Sequence, residues 1–154
     1  MNSIFASIEH WPLSVWARED EYAYFLALIF HAWGMALLVG GGVVITLRVM
    51  GVAGGAALSN FRGFLPVMWL GVALAIPSGF VLLVAYPAKA FTNPIFAIKF
   101  ACLIGAALLL RRLIRIGAAP RNSRMLAVLC LLLWLAGVTA GKLLLHTYRV
   151  LTVS

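Results

Sequence analysis

Between Tyr22 and Arg48 the chain reads YAYFLALIFHAWGMALLVGGGVVITLR, 27 residues with no charge before the last. At about 1.5 Å per residue, a helix of this length crosses the roughly 30 Å hydrocarbon core of a bilayer with some tilt to spare. The stretch also holds one imidazole, His31, at a depth of about 13 Å on the same arithmetic. A titratable ring that deep is costly unless it faces the interior of a bundle and finds a partner there.

Composition extends this reading to the whole chain. Of 154 residues, 64% are hydrophobic and only 10% are charged, where a soluble domain carries about 25%. Four apolar stretches follow one another, at about 22–48, 64–86, 95–116 and 125–150. The loops between them are short, which makes neighbouring helices antiparallel. The expected fold is therefore all-α, a four-transmembrane-helix bundle forming a single membrane domain over 1–154. Residues 1–21 are too mixed to span. Ile4, Phe5, Ile8 and Trp11 share one helical face, which predicts a short N-terminal helix lying in the interface and ended or kinked at Pro12. His10, beside Trp11, is expected to be exposed. The acidic run Glu19-Asp20-Glu21 then opens the first span, where negative charge suits a helix N-terminus.

A net charge of +8 would fit nucleic acid, but the positions of the charges exclude that class. Arg48, Arg62, Arg111, Arg112, Arg115, Arg121 and Arg124 all flank apolar spans on one side of the bilayer. The positive-inside rule puts that side in the cytoplasm. Both termini are then periplasmic, in a multi-pass protein of a bacterial inner membrane. The two cysteines carry little. Cys102 and Cys130 are expected about 12 Å apart in depth, too far for a disulfide, and they lack metal-type spacing.

The polar groups inside the spans are more informative. His31, Lys99, Lys142 and His146 gather in the outer half of the bundle, with no carboxylate in any span. Four basic groups cannot sit together unless some are neutral, snorkel outward, or meet an anion that the chain does not encode. A bound group that takes neutral imidazole and carries negative charge satisfies them. Haem b does both: His31 and His146 would be its axial ligands, while Lys99 and Lys142 would pair with its propionates. Phe30, Trp33, Met35 and Trp69 would supply flat apolar walls. Two other readings stand beside it. In one, His31 donates to a backbone carbonyl, the lysines snorkel, and the protein is a non-catalytic anchor. In the other, His31, Met35 and His146 hold copper. The glycines Gly40, Gly41, Gly42, Gly71, Gly105, Gly137 and Gly141 are expected to let the helices approach closely.

The run FHAWGMALLVGGGVVITLRVMG, then FTNPIFAIKF, then the closing WLAGVTAGKL resembles a family of uncharacterised four-span bacterial inner-membrane proteins. The positions that carry the resemblance are His31, Gly34, Gly40, Arg48, Asn93, Pro94, Lys99, Trp134, Gly141 and Lys142. A first-span His followed by Gly, with a third-span Lys, is also similar to the CopD-type copper-resistance proteins and the HemJ-type protoporphyrinogen oxidases. That likeness implies haem or copper on His31.

The sequence thus predicts a b-type haem protein that moves electrons between a periplasmic partner and the quinone pool, alone or within a larger membrane complex. No nucleophile and no acid–base pair can be assigned, so an independent enzyme is not expected.

Overall fold

The computed structural model describes residues 7–52, 58–116 and 121–151, and all its regular elements are helical. Helix α1 covers Pro12–Glu19, α2 Ala23–Val49, α3 Phe64–Ala85, α4 Pro87–Phe91, α5 Pro94–Ile116 and α6 Arg121–Leu151. A 3₁₀ helix, Leu58–Gly63, leads into α3. Helices α2, α3, α5 and the Ser123–Leu144 part of α6 are each long and apolar enough to cross a membrane. The protein is an all-α, four-span membrane bundle, with boundaries within a few residues of those expected.

Local chemistry explains where the helices begin. An Asp20 carboxylate oxygen accepts from the backbone N–H groups of Tyr22 and Ala23, at 3.0 and 2.8 Å. This satisfies donors that the first turn of α2 cannot pair internally. Asn93 does the same for α5, accepting from the Ile95 N–H at 2.9 Å, while Pro94 takes the first helical position. The break expected at Pro12 is present: helical residues 7–9 stop at a turn over His10 and Trp11. Pro12 then opens α1, because the first turn needs no N–H and its φ already suits the ring. Ile4 and Phe5 lie outside the described residues. The short connection between the second and third spans contains the helix α4.

Helix α1 is fastened by a small polar contact. Ser14 and Ala17 are fully buried, and the Ser14 hydroxyl donates to the Val84 carbonyl near the end of α3 at 2.9 Å. Trp11 and Trp16 stay exposed, as aromatic side chains do at a membrane interface.

Helix α2 is the hub of the bundle. It packs along α3 on one face and against α6 on another, while α5 packs along α6 and also reaches α2. Helix α3 lies closely against neither α5 nor α6. Among the described residues, three sides of the four-helix square are closely packed and the α3–α5 side is not.

The α2–α3 side is closed by glycine. A Cβ placed on Gly34 would fall 2.6 Å from the Ala75 nitrogen and 2.7 Å from the Gly71 oxygen, so the two backbones touch. Close approach through small residues is how helices associate where lipid offers no hydrophobic driving force. On the α6 side the Trp134 ring fills the space over Gly42, where a Cβ would come within 2.6 Å of it. Trp134 is fully buried and packs with Ile45, Leu110, Leu113 and Cys130 in the half of the bundle away from α1. Thr46 donates back to the Gly42 carbonyl at 2.7 Å. Its hydroxyl lies 3.5 Å from the Cys130 sulfur, which in turn donates to the Ala106 carbonyl at 3.4 Å. Cys102 and Cys130 are both free, as expected.

Phe30, Trp33 and Trp69 point outward, Trp69 with 71% of its surface exposed. They lie on the outside of the bundle and do not wall an internal site. Met35 alone of the expected walls packs against the core.

Candidate functional site

Three spans meet at His31, and the fourth lies against the lysine beside it. The ring projects from α2 towards α3, where its Nδ1 lies 3.0 Å from the Ala75 carbonyl. That oxygen can only accept, so Nδ1 carries a proton and donates it. Ser78 lies 3.4 Å from the same nitrogen. Its hydroxyl, however, donates to the Leu74 carbonyl at 2.6 Å, one turn back on α3. Gly79 leaves room for the ring: a Cβ there would sit 3.0 Å from the imidazole Cε1.

The other ring nitrogen faces α5. Lys99 Nζ stands 3.3 Å from His31 Nε2, and a lysine this close to an imidazole lone pair donates to it. The lysine stem runs past Gly141 of α6, whose Cβ position would be 3.5 Å from the lysine Cε. A Cβ at 141 would make ordinary van der Waals contact with that stem. Ala75, Ser78 and Gly79 from α3, His31 from α2, Lys99 from α5 and Gly141 from α6 therefore build one polar centre. Both His31 and Lys99 are half-buried.

The chemistry of the pair follows from its proton count. Nδ1–H is tied to a carbonyl, so Nε2 carries the lone pair and shares a Lys99 proton with Nζ. No span contributes a carboxylate to the centre, since all four acids precede α2. The centre can present an imidazole lone pair to a metal, offer lysine N–H donors to an oxygen acceptor, or pass the shared proton on. Among the described residues, no three His, Cys, Asp or Glu side chains gather to hold a metal ion.

Of the four basic groups expected together, the structure joins His31 and Lys99. Lys142 is exposed, and its neighbour Gly141 is the α6 residue that faces Lys99. The side chain of His146, one turn beyond Lys142, lies outside the described residues. His10 is exposed, as expected. Sequence reasoning missed the α3 contribution. Its signal was the Ile-Pro-Ser-Gly interruption at 76–79, since Pro77 inside α3 leaves the Ala73 carbonyl without its usual donor and irregular backbone in a span needs local partners.

Compared with known family models, curated proteins and solved structures, the chain matches none.

Proposed function

We propose that this chain is a membrane-embedded electron-transfer protein that holds a b-type haem in the outer half of its bundle, with His31 as an axial ligand. In this reading it sits in a bacterial inner membrane with both termini periplasmic. It works between a periplasmic redox partner and the quinone pool, alone or as a subunit of a larger complex. The observation that supports it is the setting of His31. An imidazole whose Nδ1–H is donated to a backbone carbonyl, here Ala75 at 3.0 Å, is held with its Nε2 lone pair directed at one place, as metal-ligating histidines are. That lone pair meets a lysine rather than an acid, which suits a group carrying its own negative charge. Lys99 is the nearest partner for a propionate, with Lys142 further out, and His146 is the candidate for the second axial position. The haem would supply a one-electron carrier. The chain supplies an oriented ligand, a charge to balance the propionates and a site shut off from water.

A second reading is favoured by one observation. Both nitrogens of His31 already have protein partners, at 3.0 Å on α3 and 3.3 Å on α5. A ring so held locks two otherwise separate helices to the hub, and the protein is then a structural membrane subunit.

Oxidised and reduced absorption spectra of the protein, purified from cells with ample haem, separate the two. The haem reading expects sharp low-spin bands that His31→Ala abolishes and His146→Ala converts to a high-spin form. A colourless wild type refutes it. The structural reading expects His31→Ala to cost about 0.6–2 kcal/mol, the range for interhelical hydrogen bonds in membranes.

A further inference from the structure

We propose that the His31–Lys99 centre opens sideways into the bilayer between α3 and α5, and that Lys99 receives there an acceptor oxygen of a flat, membrane-dissolved molecule. The inference uses the centre of the reading above but does not depend on haem as its occupant.

The routes to the centre decide the direction of access. At the outer end, α1 lies across α3 and α2, pinned by the Ser14–Val84 bond. Below the centre, the bundle is filled by the buried Trp134, Ile45 and Leu110 cluster. On the α2–α3, α2–α6 and α5–α6 sides the helices are in contact. The α3–α5 side alone lacks close packing, and His31 bridges it with one hydrogen bond to each helix.

The walls of that side are apolar. Val72 lies two turns before Gly79 on the same face of α3, and it is half-buried like Gly79. On α5, Phe96 and Phe100 lie about 60° or more round the helix from Lys99, on the side away from α6. Their rings pack at 4.9 Å, with Phe100 47% exposed. Aromatic and aliphatic walls over a floor with a few convergent polar groups are what an apolar ligand with a polar end requires.

The floor sets the polar end. Among the described residues, His31 is the hydrogen-bond partner of Lys99 Nζ, so an ammonium there keeps further N–H groups to donate. No acid within the spans can take those N–H groups. Polar donors at this depth favour an oxygen acceptor that arrives from the lipid. The carboxylate of a tetrapyrrole and the carbonyl of a quinone share that chemistry.

The test loads the full-length protein in phospholipid nanodiscs with hemin, followed by its Soret band, or with an azidoquinone photolabel mapped by mass spectrometry. Wild-type protein is expected to bind one probe, with label on α3 and α5 in the quinone arm. Lys99→Met should weaken binding at least tenfold. Val72→Trp should slow loading at least tenfold, whereas Leu129→Trp on the lipid face of α6 should not. Phe100→Ala, which widens the same opening, should speed loading and serves if Val72→Trp does not fold. Hemin binding identifies a carboxylate ligand. Quinone labelling without hemin binding identifies a carbonyl ligand, and then the haem reading fails while sideways access stands. The proposal is overturned if neither probe binds, if Lys99→Met binds as wild type does, or if loading ignores both opening variants.

Discussion

Gly40, Gly41 and Gly42 stand side by side in α2 and have three different environments. A Cβ on Gly40 would meet nothing within 4 Å, one on Gly41 would reach the flexible Met68 side chain, and one on Gly42 would strike the buried Trp134 ring at 2.6 Å. Alanine is a better helix former than glycine by about 0.5–1 kcal/mol, so Gly40→Ala should stabilise the protein slightly. Gly42→Ala should cost about 1–3 kcal/mol, the usual penalty for overpacking, because the ring has no free space to move into. Gly41→Ala should fall between them. Gly34→Ala should behave like Gly42→Ala, since its obstacle is the α3 backbone. Reversible unfolding in detergent mixtures would rank the four, and a destabilised Gly40→Ala would contradict the assignment. The sequence shows the triplet and its packing role, but not which glycine faces which neighbour. That depends on the rotation of α2, and an almost uniformly apolar helix carries no amphipathic stripe to reveal it.

Among the elements, the ends were partly legible and the contacts were not. Asp20 and the Asn93-Pro94 pair signal helix starts through known chemistry, and both caps are present. Pro12 signals a break, and the helical residues 7–9 do stop before it, while the same ring opens α1. The seat of α1 on α3 had no signal at all, since a lone serine at position 14 says nothing of a carbonyl at 84. That contact is open to a direct check. Ser14→Ala takes the donor from the Val84 carbonyl, which lies in the last turn of α3 and has no intrahelical partner, and should cost about 1–3 kcal/mol. The loss should be local, seen as faster hydrogen exchange in α1 with α5 and α6 unchanged. Exchange that rises throughout the bundle would show that α1 is an integral part of the core.

For the whole molecule, four spans were legible from length and hydropathy, and His31 and Lys99 were legible as polar groups too deep to ignore. Their meeting was not, because depth along a span leaves the angle around it undetermined. The orientation remains a prediction from charge. A reporter fused after Ser154 should read as periplasmic and one inserted near Ala118 as cytoplasmic, as the arginine asymmetry requires. The reverse result would place the His31 centre near the cytoplasmic face.

The hub position of α2 also has a consequence for the order of assembly. Chains emerge N-terminus first and fold in units as they do so. The α2–α3 hairpin, closed by Gly34 against Gly71, is complete at Ala85, ahead of α5 and α6, and already gives His31 its Ala75 acceptor. Lys99 arrives on the second hairpin and reaches its partner only when that hairpin docks on α2. Until then an ionisable amine waits in the membrane without the imidazole that receives its proton. The polar centre is therefore the last part of the molecule to be completed, and its formation marks the moment at which two independently inserted hairpins become one protein.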